Sequence, residues 1–159
     1  MAKRSVGLMV YRRREDGVEV FLVHPGGPFW VKKDEGSWTI PKGEYEEGEE
    51  SLDVARREFL EETGFEVNGD FVEVGQIKQA GGKVVMAWAV GGDFDSGCLK
   101  SNAFEMEWPP RSGRMQKFPE VDRGEWFSID AARVKILKSQ EPLLDMLLSV
   151  LGSSGAAPI

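Results

Sequence analysis

Apolar positions fall into short β-type runs over the first part of the chain and into helical runs nearer its end. Ser5 to Arg12 (SVGLMVYR) and Val18 to Val23 (VEVFLV) are rich in β-formers. Between them Glu15-Asp16-Gly17 carries turn chemistry, so the chain opens on a predicted β-hairpin. His24-Pro25-Gly26-Gly27-Pro28 cannot continue a strand and reads as loop. Ser37 to Ile40 predicts a short strand halted by Pro41-Lys42-Gly43. Glu49 to Thr63 has no internal Gly or Pro and stops at Gly64, which predicts a helix. Phe71 to Gln79 and Lys83 to Val90 predict two strands joined by a turn at Gly81-Gly82. Asp93 to Met115 shows no period and reads as a long loop, of the sort that usually carries function in a compact domain. Gly124 to Ile129 predicts a last strand, and Asp130 is placed to cap a helix over Ala131 to Leu137. A final amphipathic helix is expected over Pro142 to Leu151, with Leu143, Leu144, Met146, Leu147 and Leu151 on its apolar side. Strands and helices interleave without regular βαβ alternation. The expected class is α+β, a mixed sheet between helices.

A length of 159 residues fits one domain, here 1–151, with 152–159 as a flexible C-terminal tail. No apolar run approaches the roughly 18 residues that span a bilayer, so no membrane partner is expected. Cys98 is the only cysteine, which excludes an internal disulfide and a cysteine-rich zinc site. A single thiol fits a reducing compartment better than secretion, so a cytoplasmic protein is expected. Twenty basic against 27 acidic residues give a net charge of −7. Such a field disfavours a nucleic-acid partner, whose backbone it repels. It suits a site that holds cations.

The chemistry concentrates in Gly43 to Phe65, GEYEEGEESLDVARREFLEETGF. With Glu58 set at zero on a helical wheel, Glu61 falls near about −60° and Glu62 near about +40°, one face carrying three carboxylates. Leu52, Ala55 and Phe59 form an apolar stripe beside it, roughly 95° around. Three adjacent like charges repel and raise one another's pKa, which a helix built for stability alone would avoid. A divalent cation removes the conflict, and oxygen-only ligands select hard ions, Mg²⁺ or Mn²⁺. Such an ion neutralises phosphate charge and activates water, the combination that diphosphate cleavage requires.

The full pattern is Gly43, five residues, Glu49, seven residues, Arg57-Glu58-Phe59, one residue, Glu61-Glu62, one residue, Gly64-Phe65. A chance match in a chain this long is on the order of one in ten million. These residues resemble the Nudix box at every defining position. The opening hairpin, the Trp38-Thr39-Ile40-Pro41-Lys42-Gly43 lead-in and the Glu125-Trp126-Phe127 strand are similar to the family as well. The resemblance implies an α/β/α sandwich and a Mg²⁺-dependent hydrolase that cleaves a phosphoanhydride bond in a nucleoside diphosphate-linked, small-molecule nucleotide substrate. It implies Glu58, Glu61 and Glu62 as metal ligands, with the Gly43 carbonyl as a further one. Arg57 would orient a glutamate through a two-pronged contact that lysine makes poorly. Glu49, about 180° from Glu58, would fix the loop or pair with Arg57.

Family enzymes often draw a further carboxylate from a distant loop. Glu105, Glu107 and Glu120 are the candidates. Glu120 is favoured as the catalytic one, because its position six residues before Trp126 is similar to the spacing in dinucleoside tetraphosphate hydrolases. Lys32, Lys33, Lys42, Arg111, Arg114 and Lys117 could receive substrate phosphates, and Phe29, Trp30, Tyr45 and Trp88 could stack on a nucleobase. Of these, Lys42, Tyr45, Arg111 and Arg114 are the expected substrate-binding residues. Trp38 and Trp126 are expected in the core, and the lone histidine, His24, in a loop role. Dinucleoside polyphosphates are the favoured substrates. Nucleoside triphosphate pyrophosphohydrolysis, on normal or oxidised nucleotides, and a non-catalytic nucleotide-binding module are the alternatives.

Overall fold

The computed structural model describes residues 3–153. Eight strands and three α-helices follow in the order β1 (Arg4–Arg14), β2 (Gly17–Pro25), β3 (Lys42–Glu44), α1 (Ser51–Thr63), β4 (Val72–Lys78), β5 (Val84–Gly91), β6 (Ala103–Glu107), β7 (Met115–Pro119), β8 (Val121–Ser128), α2 (Ile129–Lys135) and α3 (Pro142–Ser153). The main sheet runs β4-β5-β1-β2-β8, with β3 paired to β1. β1 and β5 are parallel while the other pairings are antiparallel, so the sheet is mixed.

The two central strands are nearly continuous apolar runs because helices cover both of their faces. Val6, Leu8 and Val10 of β1, with Phe21 and Val23 of β2, point to one side and pack against Val54, Ala55 and Phe59 of α1. Met9, Val20 and Leu22 point to the other and meet Ala132 of α2 and Leu143, Leu144 and Leu147 of α3. The result is an α/β/α sandwich with α1 alone on one face. At the edges of β1, Gly7 lets the Pro41 backbone pass directly over it, where a Cβ would collide with the Pro41 carbonyl.

Several expectations are corrected. Ser37–Ile40 is not a strand: Trp38 and Thr39 make isolated bridges, to Ile136 and to Val23, the latter past the point where the β1–β2 pairing ends at Tyr11 and Val20. The segment from Asp93 to Met115 is not structureless, since it contains β6, which pairs with β7 in a separate two-stranded sheet. Ser128, not Asp130, caps α2, its Oγ accepting from the Ala131 N–H at 3.2 Å. α3 runs on through Gly152 to Ser153, and positions 154–159 of the expected tail lie outside the described residues. His24 lies within β2, next to its last residue, and is fully buried instead of sitting in a loop. Trp126 is half-buried, its Nε1 donating to the Phe94 carbonyl at 3.1 Å beneath the Arg12 guanidinium.

Candidate active site

Helix α1 starts two residues later than Glu49, at Ser51, and ends where Gly64 adopts a left-handed φ of 79°, its N–H returning to the Leu60 carbonyl. Thr63 reinforces that end: its hydroxyl donates to the Phe59 carbonyl at 2.6 Å and accepts from the Phe65 N–H at 3.1 Å. With Val54, Ala55 and Phe59 anchored in the core, the helix cannot rotate, and Glu58 and Glu62 are held against Gly43 and Lys42 of β3. Gly43 pairs with Val6 there, and a Cβ on it would overlap the carboxylate end of Glu58. Glycine is therefore required for the strand backbone to come so close to this side chain.

Their environments differ. Glu62 is only 8% exposed. Burial, then the charges of Glu58 and Glu120, push its pKa up to about 8, against the pull of Lys42. Lys42 is itself drawn below the ordinary ammonium value by burial, with the Glu62 charge acting the other way. Glu58 is raised by burial and by Glu61, while Arg57 opposes both. Arg57 Nη2 lies 3.5 Å from Glu58, Nη1 3.8 Å from Glu49 and Nε 3.8 Å from Glu61, one guanidinium shared among three carboxylates. Glu49 also closes the preceding loop, accepting from the Glu46 N–H at 2.8 Å.

A chain of backbone hydrogen bonds brings in a fourth carboxylate. The Lys100 N–H donates to the Thr63 carbonyl and the Asn102 N–H to that of Glu61, laying residues 100–102 along the end of α1. The Glu120 N–H then donates to Asn102, and the Gly26 N–H donates to Glu120, each at 2.9 Å. Partial desolvation and the Glu61 charge raise the pKa of Glu120, and its own charge acts on Glu58 and Glu62. Glu107 is engaged elsewhere, accepting from the Arg111 and Gly113 N–H groups in the β6–β7 turn, and Glu105 lies opposite Lys117. The backbone ties at Gly26, Lys100 and Asn102 leave no side-chain signature, so sequence reasoning missed them.

The proposed phosphate and base contacts are less concentrated. Lys42 adjoins Glu62, whereas Arg111 and Arg114 sit at the hairpin tip, Arg114 roughly 20 Å of strand away from Glu120. Tyr45 is half-buried, its hydroxyl directed at the Met86 sulfur, and Trp88 donates to Ser51 Oγ at 3.2 Å. Phe29 stays 60% exposed, edge-on to Trp108 with ring centroids 5.3 Å apart.

As a metal site, the donor set fits a hard cation in type: all oxygen, mutually repelling, partly desolvated, with the Gly43 backbone packed closely against the Glu58 carboxylate. Among the described residues no three His, Cys, Asp or Glu side chains converge at ion-holding spacing. Glu58 and Glu61 turn to Arg57, and Glu62 to Lys42.

A mixed sheet sandwiched between helices, with a glycine-backed acidic helix on one face, defines a Nudix-type fold. The NUDIX domain family matches residues 1–147, and the chain belongs to that family. Among solved structures it is similar to an Ap4A hydrolase binary complex from C. elegans, at 20% identity and a TM-score of 0.63, covering 94% of this chain and 98% of that one. It is similar also to the NUDIX domain of Shewanella oneidensis NrtR complexed with ADP ribose, at 16% identity and a TM-score of 0.64, covering 95% and 89%. A mutT/nudix family protein from Listeria innocua gives 13% identity and a TM-score of 0.60, covering 96% and 95%. At these identities the likeness is one of fold.

Proposed function

We propose that the protein is a Mg²⁺-dependent hydrolase that cleaves a phosphoanhydride bond of a dinucleoside polyphosphate of the diadenosine tetraphosphate type. The observation that carries the reading is the meeting of Glu120 with the α1 carboxylates, two elements far apart in sequence joined through Asn102. Glu58, Glu61 and Glu62, with the Gly43 carbonyl, would hold the ion, Mn²⁺ serving as a substitute for Mg²⁺. When bound, the ion supplies charge neutralisation at the phosphates and lowers the pKa of water. Glu120, its pKa raised by partial desolvation and by the Glu61 charge, accepts the proton of the attacking water as general base. Arg57 keeps Glu58 and Glu61 aimed, and Lys42 holds a phosphate oxygen by charge. Arg111 and Arg114, on the hairpin, suit a long polyphosphate better than a short one. The similarity to an Ap4A hydrolase fold agrees with this choice of substrate.

The test incubates the protein with Mg²⁺ and either diadenosine tetraphosphate or simple nucleoside triphosphates, with products separated by chromatography and the reaction repeated in ¹⁸O water. The expected products are a nucleoside triphosphate and a nucleoside monophosphate, with activity lost in chelator and kcat lowered in Glu120→Gln. Pyrophosphate released from nucleoside triphosphates, with the dinucleotide untouched, would overturn the substrate. A Glu120→Gln enzyme of normal rate would overturn the base.

A further inference from the structure

His24 is the only histidine in the chain and is wholly enclosed, so it cannot touch a substrate. Both of its ring nitrogens are nonetheless engaged. Nε2 donates to the Lys33 carbonyl at 2.6 Å, and Nδ1 meets Asp122 Oδ1 at 2.8 Å. The ring packs edge-on against Trp38, over which the Arg123 guanidinium also lies, and Arg123 Nε stands 3.8 Å from the same Asp122 oxygen. A core histidine could be satisfied by any nearby pair of hydrogen-bond partners. Here the two partners belong to different segments, the Gly26–Gly36 loop and the start of β8, and the second lies two residues from Glu120.

The place of this contact in the sheet gives it a purpose. β2 and β8 pair in register up to His24 opposite Arg123, and the register then slips between His24 and Pro25. Beyond the slip the pairing is reduced to Pro25 opposite Val121, whose N–H donates to Ser101 Oγ, and Glu120 is tied by single backbone bonds, from Gly26 on one side and to Asn102 on the other. Gly26 can approach because a Cβ there would run into the Pro119 carbonyl. The side-chain contact between His24 and Asp122 spans this irregular step.

We propose that His24 and Asp122 form a clasp that positions Glu120 against α1, making both positioning residues for the proposed hydrolysis. The inference rests on the reading of Glu120 given above. Removing the clasp leaves the core strands and the metal-side carboxylates in place but frees the Pro25–Val121 step. Glu120 then samples orientations from which it cannot reach the attacking water, so the loss falls on kcat and not on substrate affinity.

The experiment compares Asp122→Ala, Asp122→Asn and His24→Gln with Asp145→Ala, which breaks an exposed ion pair to Arg133 far from this step. Asp122→Ala should lower kcat by about tenfold or more with KM within about twofold. Asp122→Asn, which keeps an acceptor oxygen, should recover most of the rate, and Asp145→Ala should match wild type. In a Glu120→Gln background Asp122→Ala should cost nothing further, because the group it positions is already disabled. A multiplicative loss in the double variant would overturn the proposal. Amide exchange followed by NMR supplies a readout independent of turnover. The Gly26 and Glu120 amides should exchange about tenfold faster in Asp122→Ala while the Gly64 amide at the end of α1 is unchanged. Unchanged Gly26 and Glu120 exchange would equally overturn the clasp. Should Glu120→Gln alone prove fully active, the base assignment fails, and the exchange rates decide on the clasp separately.

Discussion

Glu62 should make the protein less stable as pH rises through neutrality, and neutralising it should remove its share of the effect. In the fold its pKa stands at about 8, against an ordinary 4.5. Between those values the folded state retains a proton that the unfolded state has released, so unfolding becomes easier with each increment of pH. One proton of difference corresponds to ~1.4 kcal/mol per pH unit, or ~3 kcal/mol between pH 5 and 7 and at most ~5 kcal/mol over the whole window. Glu62 is almost fully enclosed, so solvent screens little of this. Glu58 and Glu120 are shifted in the same direction and add to the slope. Asp34, Asp93 and Asp145 are shifted downward, so their contribution is lost only as pH falls below about 4, outside the window. Urea unfolding of wild type and Glu62→Gln, in chelator at half-unit steps from pH 5 to 8, isolates the Glu62 share as the difference between the two slopes. The variant should gain on the wild type by a few kcal/mol at pH 8 and by little at pH 5. Parallel curves would refute the reasoning. If Glu62 is also a ligand, millimolar Mg²⁺ should flatten the wild-type slope, since an ion at a hundred times its Kd stabilises by ~2.7 kcal/mol.

Other consequences can be checked more briefly. Gly43→Ala should lower kcat by about 100-fold with an unchanged circular dichroism spectrum, because the added methyl displaces the Glu58 carboxylate and little else. Arg57→Lys should lose most of its activity despite the conserved charge, as one ammonium cannot reach three carboxylates together, and wild-type rates would show a mere surface cation. Gln140→Leu should lower stability by about 2 kcal/mol in urea unfolding, since the buried amide oxygen accepts from the Ile40 N–H and the Thr39 hydroxyl.

Where local chemistry and tertiary pairing agreed, the sequence was easy to read. α1 combined a helical apolar stripe, an uninterrupted interior and a glycine stop, and its carboxylates inherited their placement from that periodicity. The β1–β2 hairpin was legible because its two apolar runs flanked a turn cluster, with Gly17 adopting a φ of 128°. Ser37–Ile40 misled because Trp38 and Ile40 are core residues whose burial looks the same in a strand as in a loop pressed on the sheet. Ser128 and Asp130 are equally good caps by type. Only Ser128, at φ −60° and ψ 161°, ends β8 in the extended geometry a cap needs. The β6–β7 hairpin was hidden by Trp108-Pro109-Pro110, which read as breakers, while Phe104 and Phe118 pair across strands too short to show a period.

That hairpin leaves the body of the protein at Asn102 and returns at Glu120, and those two residues are bonded to each other at its neck. Residues can thus be added to or removed from its length without moving either end of the neck. Under the proposed function, the reach of the arm and the position of Glu120 at its root are thereby separable, and the number of residues between the acidic helix and Glu120 is not set by the site. A version trimmed from Ala103–Pro119 to a short glycine-containing turn should keep Glu120 seated while changing only how far from the scissile bond a substrate can be gripped.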